Sequence, residues 1–288
     1  MNKWTIGGAV LTILVVLLAV AVYWPAPPEE VPATPSPVAT TTTPVATSSV
    51  TVIGHSVEGR DIVSYTFGTG DTHLLFVGGI HGGYEANSIN LANGVIEEFQ
   101  NDTSLVPDNL TIHIIPALNP DGYARALDTT TTYTDPQMRF NANGVDLNRN
   151  FDCKWAPTSS WRGATVSAGT SAFSEPEAAA LRDYVLAINP AGVVFWHSAA
   201  GNVYASECED GILPNTLTLM STYALAGNYG QVPKFDAYPV TGDAEGWLAS
   251  IGIPAVTVEL KTHESMEWQQ NWAGTLAVLG LYSQDLAR

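Results

Sequence analysis

Positively charged residues are scarce in this sequence of 288 residues, in which 11 Lys and Arg face 28 Asp and Glu and the formal net charge is −17 at pH 7. Such a negative field repels nucleic-acid phosphates and anionic membrane surfaces. We therefore expect no nucleic-acid partner. An acidic surface is compatible both with attraction of cationic substrates and with simple solubility, so charge alone does not identify a substrate.

Cysteine is nearly absent, since only Cys153 and Cys208 occur. Two cysteines are too few for a disulfide-based scaffold. They leave open one disulfide in an oxidising compartment or two free thiols, because the sequence alone does not pair them. Neither lies in a recognisable Cys/His motif, which argues against a thiolate nucleophile.

One long apolar segment lies near the N-terminus. Residues 4–24 carry no charge and consist mainly of Val, Leu, Ile and Ala, which is long enough to span a bilayer. Lys3 precedes the segment, so we expect a cytoplasmic N-terminus and an extracytoplasmic remainder. Residues 1–24 are predicted to be a membrane anchor, with a cleaved signal peptide as the alternative; both predict export.

The composition changes after this segment. Residues 25–49 are rich in Pro, Thr, Ala and Ser without hydrophobic periodicity, which predicts an extended, semi-rigid tether. Residues 50–288 are predicted to form one folded domain, because the sequence is 45% apolar and no internal repeat is visible.

Short apolar runs rich in β-branched residues predict buried strands. They are residues 73–80, 111–118, 192–197 and 254–260. Helical patterns cover 88–100 and 266–286, and a capping box at 174–177 is predicted to begin a helix that ends near 188. Alternating strands and helices predict a three-layer α/β sandwich with a mixed, largely parallel central sheet flanked by helices.

Two histidines follow predicted strands, at the edge where ligands bind in such sheets. His81 comes directly after the first strand, Glu85 lies four residues later, and His197 ends the third strand. Two imidazoles and one carboxylate suit a catalytic zinc site, because they leave a coordination position for water. The other histidines lack this placement and are expected to be structural or exposed; they are His55, His73, His113 and His263.

Several short motifs occur in a fixed order along the chain. They are GHSVEGR (54–60), GGIHGGYE (78–85), NPDGY (119–123), GVDLNRNF (144–151), WHS (196–198) and VEL (258–260). In this order they resemble the zinc metallocarboxypeptidases, whose best-known members are carboxypeptidases A and B. The similarity runs from about residue 54 to the C-terminus, and it implies that family's fold, one zinc ion per chain and peptide hydrolysis.

The resemblance also implies catalytic roles. His81, Glu85 and His197 look like the zinc ligands, and Glu259 looks like the general base that activates the attacking water. A salt bridge between Glu259 and Lys261 is the structural alternative. Arg139 resembles the arginine that stabilises the oxyanion, with a solvated surface Arg as the alternative.

Substrate-binding residues are implied in the same way. Asn148 and Arg149 look like the clamp for the terminal carboxylate, which predicts an exopeptidase. Tyr238 begins a segment resembling the family's mobile tyrosine loop, with a buried core Tyr as the alternative. Glu245 falls where basic-specific members carry an acidic residue, which predicts a preference for C-terminal Lys or Arg. An exposed loop acid is the alternative there, and Asp243 lies nearby.

The first metal motif departs from the family's pattern. Three residues separate His81 from Glu85 where the family usually has two. The loop must therefore bulge, which Gly82 and Gly83 allow; a site with two protein ligands is the alternative. The arginine that many pancreatic-type members carry in this motif is absent, which predicts weaker recognition of the terminal carboxylate. The tether is not expected to fold into an inhibitory propeptide.

The sequence thus predicts a zinc metallocarboxypeptidase that trims extracellular peptides, either anchored on the outer face of the membrane or secreted. The alternative hydrolase is a murein peptide amidase acting on diamino-acid stem peptides. A non-catalytic surface binding domain is disfavoured because all three predicted ligands and the predicted base are present. A deacylase of N-acyl amino acids is disfavoured because NPDGY and GVDLNRNF resemble the peptidases.

Overall fold

The structure is a computed structural model that describes residues 48–284. The predicted anchor or signal peptide (1–24) and tether residues 25–47 lie outside the described residues, as do 285–288. Within residues 48–284, no helix combines the length and the apolar character needed to cross a bilayer.

The described residues form ten strands and seven α-helices. The strands are β1 (Ser48–His55), β2 (Asp61–Gly68), β3 (Thr72–Val77), β4 (Leu110–Ile115), β5 (Thr158–Trp161), β6 (Ala164–Ser167), β7 (Gly192–Ser198), β8 (Asn202–Ala205), β9 (Gly230–Val232) and β10 (Ala255–Leu260). The helices are α1 (Ala86–Asn101), α2 (Pro120–Leu127), α3 (Asp135–Arg139), α4 (Pro176–Ile188), α5 (Pro214–Gly227), α6 (Ala244–Ser250) and α7 (Trp268–Ser283).

Eight of these strands form one mixed sheet in the order β1-β2-β4-β3-β7-β10-β8-β9. Its four central strands, β4, β3, β7 and β10, are mutually parallel. Antiparallel pairing joins β1 to β2, β2 to β4, and β10 to β8. Strands β5 and β6 form a separate hairpin. The parallel strands therefore bring their carboxyl ends to one edge at the centre of the sheet.

Helices cover both faces of the large sheet. One buried cluster joins Leu74 and Phe76 of β3 to helices α1, α5 and α7. A second cluster joins Leu75 and Val77 to helices α4 and α6. Successive residues of a strand face opposite sides, so the two clusters form separate layers of core. The predicted three-layer α/β sandwich is confirmed.

The central strands end earlier than the sequence predicts. Strand β3 ends at Val77 rather than residue 80, because Gly79 adopts φ +62°, a left-handed conformation that breaks extended structure. Strand β4 ends at Ile115 rather than residue 118, because Pro116 has no N–H to donate to a neighbouring strand.

The predicted capping box at residues 174–177 is wrong. Helix α4 begins after Glu175, whose side chain makes no capping hydrogen bond. The Ser174 hydroxyl donates instead to Glu175 Oε1, at 2.9 Å. It also accepts from Asn150 Nδ2, at 3.0 Å. Tertiary contacts to the preceding loop have replaced the local capping bond.

Cys153 and Cys208 form a disulfide, which answers the question that the sequence leaves open. Both residues lie in the buried cluster that contains α4 and α6. The bond closes a loop across 55 residues of sequence and ties the segment after the GVDLNRNF motif to the segment after β8.

Candidate active site

The carboxyl ends of three adjacent parallel strands gather the predicted catalytic residues. His81 follows β3, His197 is the penultimate residue of β7, and Glu259 is the penultimate residue of β10. Glu259 lies directly opposite His197 in the register of β10 and β7. Sheet topology alone therefore places an imidazole and a carboxylate side by side.

The segment after β3 turns sharply so that Glu85 returns toward His81. Gly82–Glu85 forms one turn of 3₁₀-helix. Gly82 adopts φ +49°, and a Cβ there would lie 2.7 Å from the carbonyl oxygen of Met138. A Cβ on Gly83 would lie 2.2 Å from Cβ of Ala126. Both positions therefore need glycine, because a side chain would collide with the neighbouring backbone or side chain, and the turn brings Glu85 back beside His81.

His81, Glu85 and His197 form a buried cluster that fits a metal ion. Each offers a ligand atom, and these atoms lie within 4.8 Å of one another. Among the described residues, the buried atoms His81 Nδ1, Glu85 Oε2 and His197 Nε2 make no hydrogen bond of normal geometry, although Glu85 Oε2 lies 3.1 Å from His197 Nδ1. Buried polar atoms are rarely left unpaired without a reason, and two imidazoles with one carboxylate are the donor set of catalytic zinc. The residues therefore fit zinc.

The two imidazoles differ in their electrostatic surroundings. Burial, and then the nearby Arg139 guanidinium, lower the pKa of His81 well below its usual range, so this ring is neutral and able to ligate. Burial also opposes charge on His197, but Glu85 and Glu245 outweigh it and raise the pKa of that ring. Ligation requires a neutral imidazole, so a metal cation would take the place of that proton.

Arg139 lies beside the cluster and is held by two carboxylates. Its Nε and Nη2 atoms lie 3.1 Å and 3.0 Å from Asp146 Oδ2. Its Nη1 atom lies 3.6 Å from Glu85 Oε1. Arg139 is only 4% exposed, so the structure does not place it as a solvated surface residue.

Asp146 is a site residue to which the sequence interpretation assigned no role, although it lies within the GVDLNRNF motif. Its Oδ1 atom lies 3.6 Å from His81 Nδ1 and accepts a hydrogen bond from the Asn148 N–H. Its Oδ2 atom accepts from Arg139. Asp146 therefore connects three predicted site residues. Its place within this motif is the sequence signal that could have identified it.

Glu259 presents a carboxylate whose Oε2 atom is buried without a hydrogen-bond partner among the described residues. Burial, and then the nearby Glu85 carboxylate, raise its pKa to about 7. Lys261 is the alternative salt-bridge partner. Its ammonium group instead donates a hydrogen bond to Gln270 Oε1, at 2.9 Å. A partly buried carboxyl with a pKa near neutrality suits general-base chemistry.

Asn148 and Arg149 are brought to the same edge by the 3₁₀-helix Leu147–Arg149. Asn148 Oδ1 accepts from the Ala244 N–H at 2.8 Å, which fixes the side-chain amide against the start of α6. Arg149 is buried, and its Nε atom has no hydrogen-bond partner among the described residues. A buried guanidinium with an unused donor is suited to binding a carboxylate.

The two predicted specificity residues occupy different environments. Tyr238 is 45% exposed and contacts the ring of Phe235, with the ring centroids 4.8 Å apart; it is not a buried core residue. Glu245 is 3% exposed, so it is not an exposed loop acid either. Its Oε1 atom lies 3.3 Å from His197 Nε2 and accepts a hydrogen bond from Thr257 Oγ1 at 2.8 Å.

Two aromatic side chains, Tyr84 and Trp161, form a rim beside Arg139 that was not predicted from the sequence. Trp161 comes from the β5–β6 hairpin, and its ring lies 4.8 Å from the Arg139 guanidinium carbon. Tyr84 meets Trp161 edge to face, with the ring centroids 5.3 Å apart. The hairpin thus contacts Arg139 by a cation–π interaction.

Comparison with known proteins also indicates a zinc peptidase. The profile of the family described as zinc carboxypeptidase matches residues 39–271. Murein peptide amidase A of Escherichia coli strain K12 is 26% identical over 215 residues, which cover 71% of this chain and 78% of that protein. The catalytic chain of human carboxypeptidase N is 36% identical over 114 residues, which cover 34% of this chain and 25% of that protein.

Solved structures share the fold. Carboxypeptidase A from Helicoverpa armigera matches with a TM-score of 0.70 and 22% identity, over 84% of this chain and 70% of that chain. The murein-tripeptide amidase MpaA from Escherichia coli O157 matches with a TM-score of 0.61 and 23% identity, over 83% of this chain and 93% of that chain. With the family profile spanning most of the sequence, the chain belongs to the zinc carboxypeptidase family and is a zinc-dependent peptide hydrolase.

Proposed function

We propose that this enzyme is a metallocarboxypeptidase that hydrolyses the C-terminal peptide bond of extracellular peptides. His81, Glu85 and His197 hold the zinc ion, and Glu259 is the general base. The observation that carries the proposal is the buried His81–Glu85–His197 cluster with Glu259 opposite His197 at the same strand edge.

The chain's own residues supply the remaining chemistry. When bound, zinc polarises the scissile carbonyl and promotes ionisation of water. Glu259 accepts the proton from the attacking water and later delivers it to the leaving amine, a role that its pKa near 7 supports. Arg139 carries a fixed positive charge toward the negative charge that develops on the carbonyl oxygen.

Recognition of the substrate terminus is assigned to Asn148 and Arg149. A guanidinium offers two parallel donors to a carboxylate, and Arg149 has the unused buried donor that such a role requires. Tyr238 is assigned to the mobile side of the pocket, which its exposure supports. A free C-terminal carboxylate is therefore a requirement for good substrates.

A preference for C-terminal Lys or Arg is the finer part of the proposal. Its support is the formal net charge of −17, because an acidic surface attracts cationic substrates. The preference stays a prediction, and comparison of matched peptides that end in Lys or Phe tests it.

Hydrolysis of murein peptides is the second candidate function. It is supported by the similarity to murein peptide amidase A, which covers 71% of this chain and 78% of that protein at 26% identity. A stem peptide that ends in a diamino acid also offers a terminal carboxylate for Arg149. The same catalytic residues serve either substrate.

Export to an oxidising compartment is proposed with this function. The Cys153–Cys208 disulfide supports it, because disulfides persist mainly outside the reducing cytoplasm. The apolar segment 4–24 supports a membrane anchor or a signal peptide. Treatment of intact and of lysed cells with a membrane-impermeant protease tests whether the catalytic domain lies outside, because an exported domain is cleaved in both samples.

A mass-spectrometric time course on the purified protein tests the proposed activity. The substrates are peptides ending in Lys, Arg, Phe or Leu, the same peptides with amidated C-termini, and a purified muropeptide. Chelator-sensitive loss of single C-terminal residues from the free acids supports the carboxypeptidase. Cleavage of the muropeptide alone favours the murein amidase, and inertness toward all substrates contradicts both.

A further inference from the structure

The ring of His197 lies between two carboxylates. Its Nδ1 atom is 3.1 Å from Glu85 Oε2, and its Nε2 atom is 3.3 Å from Glu245 Oε1. Glu85 belongs to the metal cluster, so Nδ1 faces the cluster and Nε2 faces away from it. An imidazole that binds a metal through one nitrogen donates its other N–H to a carboxylate or carbonyl, which fixes the tautomer and the ring orientation.

Glu245 is built to serve as such an acceptor. Its carboxylate is buried, and Thr257 Oγ1 donates to the same Oε1 atom at 2.8 Å. Thr257 lies two residues before Glu259 on β10, so both face the same side of the sheet. The acceptor therefore has a fixed position relative to both His197 and the predicted base.

The helix that carries Glu245 is anchored at its first turn. Asp243 caps α6 by accepting from the Gly246 N–H at 2.7 Å, and the Ala244 N–H donates to Asn148 Oδ1 at 2.8 Å. Trp247, also in α6, stacks on Phe151 with the ring centroids 5.8 Å apart. Side chains on short, tied elements hold their orientation better than side chains on free loops.

The two histidines of the cluster do not share one carboxylate partner. Asp146 approaches His81 only to 3.6 Å, and its other oxygen is engaged by Arg139. Among the described residues, Glu245 forms no ion pair with a Lys or Arg side chain. The His197 ring is the nitrogen partner that the carboxylate faces, and at 3% exposure little of the Glu245 surface remains for a substrate side chain.

We propose that Glu245 is a positioning residue that orients His197 for zinc binding, rather than the selector of a cationic substrate residue. The inference rests on the proposed roles of His81, Glu85 and His197 as zinc ligands. Glu245 does not touch zinc or substrate; its Oε1 atom lies 3.3 Å from His197 Nε2, where it can accept the N–H of a ring that binds zinc through Nδ1, and it thereby holds Nδ1 toward the metal position.

Zinc affinity of the full chain, measured by competition with a chromophoric chelator, tests the inference. Glu245→Gln keeps the volume and the bond from Thr257 but removes the charge, and Glu245→Ala removes the acceptor. We expect zinc binding to weaken about tenfold in the first variant and up to about 100-fold in the second. When the melting temperature is measured at increasing zinc concentrations, both variants should need correspondingly more zinc than the wild type to reach their maximum melting temperature.

Asp243→Asn is the matched control. It removes the same charge from the same end of α6, and Asn retains the ability to cap a helix. We expect its zinc affinity to stay within about threefold of the wild type, because residue 243 lies outside the contacts of His197. An equal loss in Asp243→Asn and Glu245→Gln would assign the effect to general electrostatics and overturn the positioning role.

Substrate preference separates the two roles of Glu245. At saturating zinc, we expect the ratio of kcat/KM for C-terminal Lys and Phe peptides to be unchanged in Glu245→Gln. Unchanged zinc affinity with a collapse of this ratio would instead establish Glu245 as the selector. A wild-type protein that binds one zinc ion but cleaves no peptide would refute the proposed function and leave the positioning role measurable by zinc affinity.

Discussion

Glu259 and His197 are paired residues on neighbouring parallel strands. The pairing comes from the backbone register of β10 and β7, so the distance between the predicted base and a predicted zinc ligand is set by the sheet and not by a loop. A catalytic group on a strand is held more rigidly than one on a loop. The roles of the two residues can then be separated by substitution.

Glu259→Gln should abolish turnover without loss of zinc. The amide preserves the shape of the side chain but cannot accept a proton, so we expect kcat to fall by about 10²- to 10⁴-fold. Zinc content, measured by atomic absorption after dialysis, should remain one ion per chain, as in the wild type. A variant that loses zinc together with activity would show that Glu259 is a ligand rather than the base.

Arg149→Ala should remove the requirement for a free C-terminus. The wild type should prefer peptide acids over the matched amides, because the guanidinium pairs with the terminal carboxylate. Loss of a charge-assisted interaction is expected to lower kcat/KM for the acid by roughly 10- to 100-fold, with little change for the amide. If the variant still distinguishes acid from amide as the wild type does, another residue binds the terminus.

The centre of the fold could be predicted from the sequence because its strands are buried on both faces. All residues of β4 and β7 are buried, and such strands leave continuous apolar runs in the sequence. The outer strands left no such signal. In β1 no residue is buried and in β9 only three residues are extended, so pairing with a neighbour, rather than local pattern, creates these strands.

Site residues could be predicted from the sequence when they lie in a recognisable motif or directly after a predicted strand. The grouping of His81, Glu85 and His197 follows from the order of the parallel strands. The environment of Glu245 does not follow from sequence, because its contact with His197 depends on how α6 packs over β10. The same holds for Trp161, which reaches Arg139 only through the fold of the β5–β6 hairpin.

The Cys153–Cys208 disulfide should contribute substantially to stability. It closes a loop across 55 residues, and chain-entropy arguments give about 4 kcal/mol for a loop of that length. We expect the double variant Cys153→Ser/Cys208→Ser to unfold at lower urea concentration, with a free energy of unfolding lower by about 2–4 kcal/mol. Reduction of the wild type with dithiothreitol should give the same shift, and the double variant should be insensitive to the reductant.

His113 should make the fold sensitive to acid. Its ring packs between His73 and Tyr184, with hydrogen-bond distances of 2.8 Å and 2.7 Å. Burial, and then the neighbouring His73, lower its pKa from 6.5 to about 4. Between these two values the unfolded chain binds the proton that the folded chain excludes, so stability falls as the pH drops below 6.5.

The size of this effect can be isolated with His113→Gln, which cannot titrate but can still hydrogen-bond Tyr184. Between pH 8 and pH 5 the shifted pKa should cost the wild type about 2 kcal/mol of unfolding free energy. Urea titrations at both pH values give the free energy of unfolding. Its decrease from pH 8 to pH 5 should be smaller in the variant than in the wild type by about 2 kcal/mol. Equal losses in the two proteins would mean that His113 is protonated in the folded state and that other groups cause the acid sensitivity.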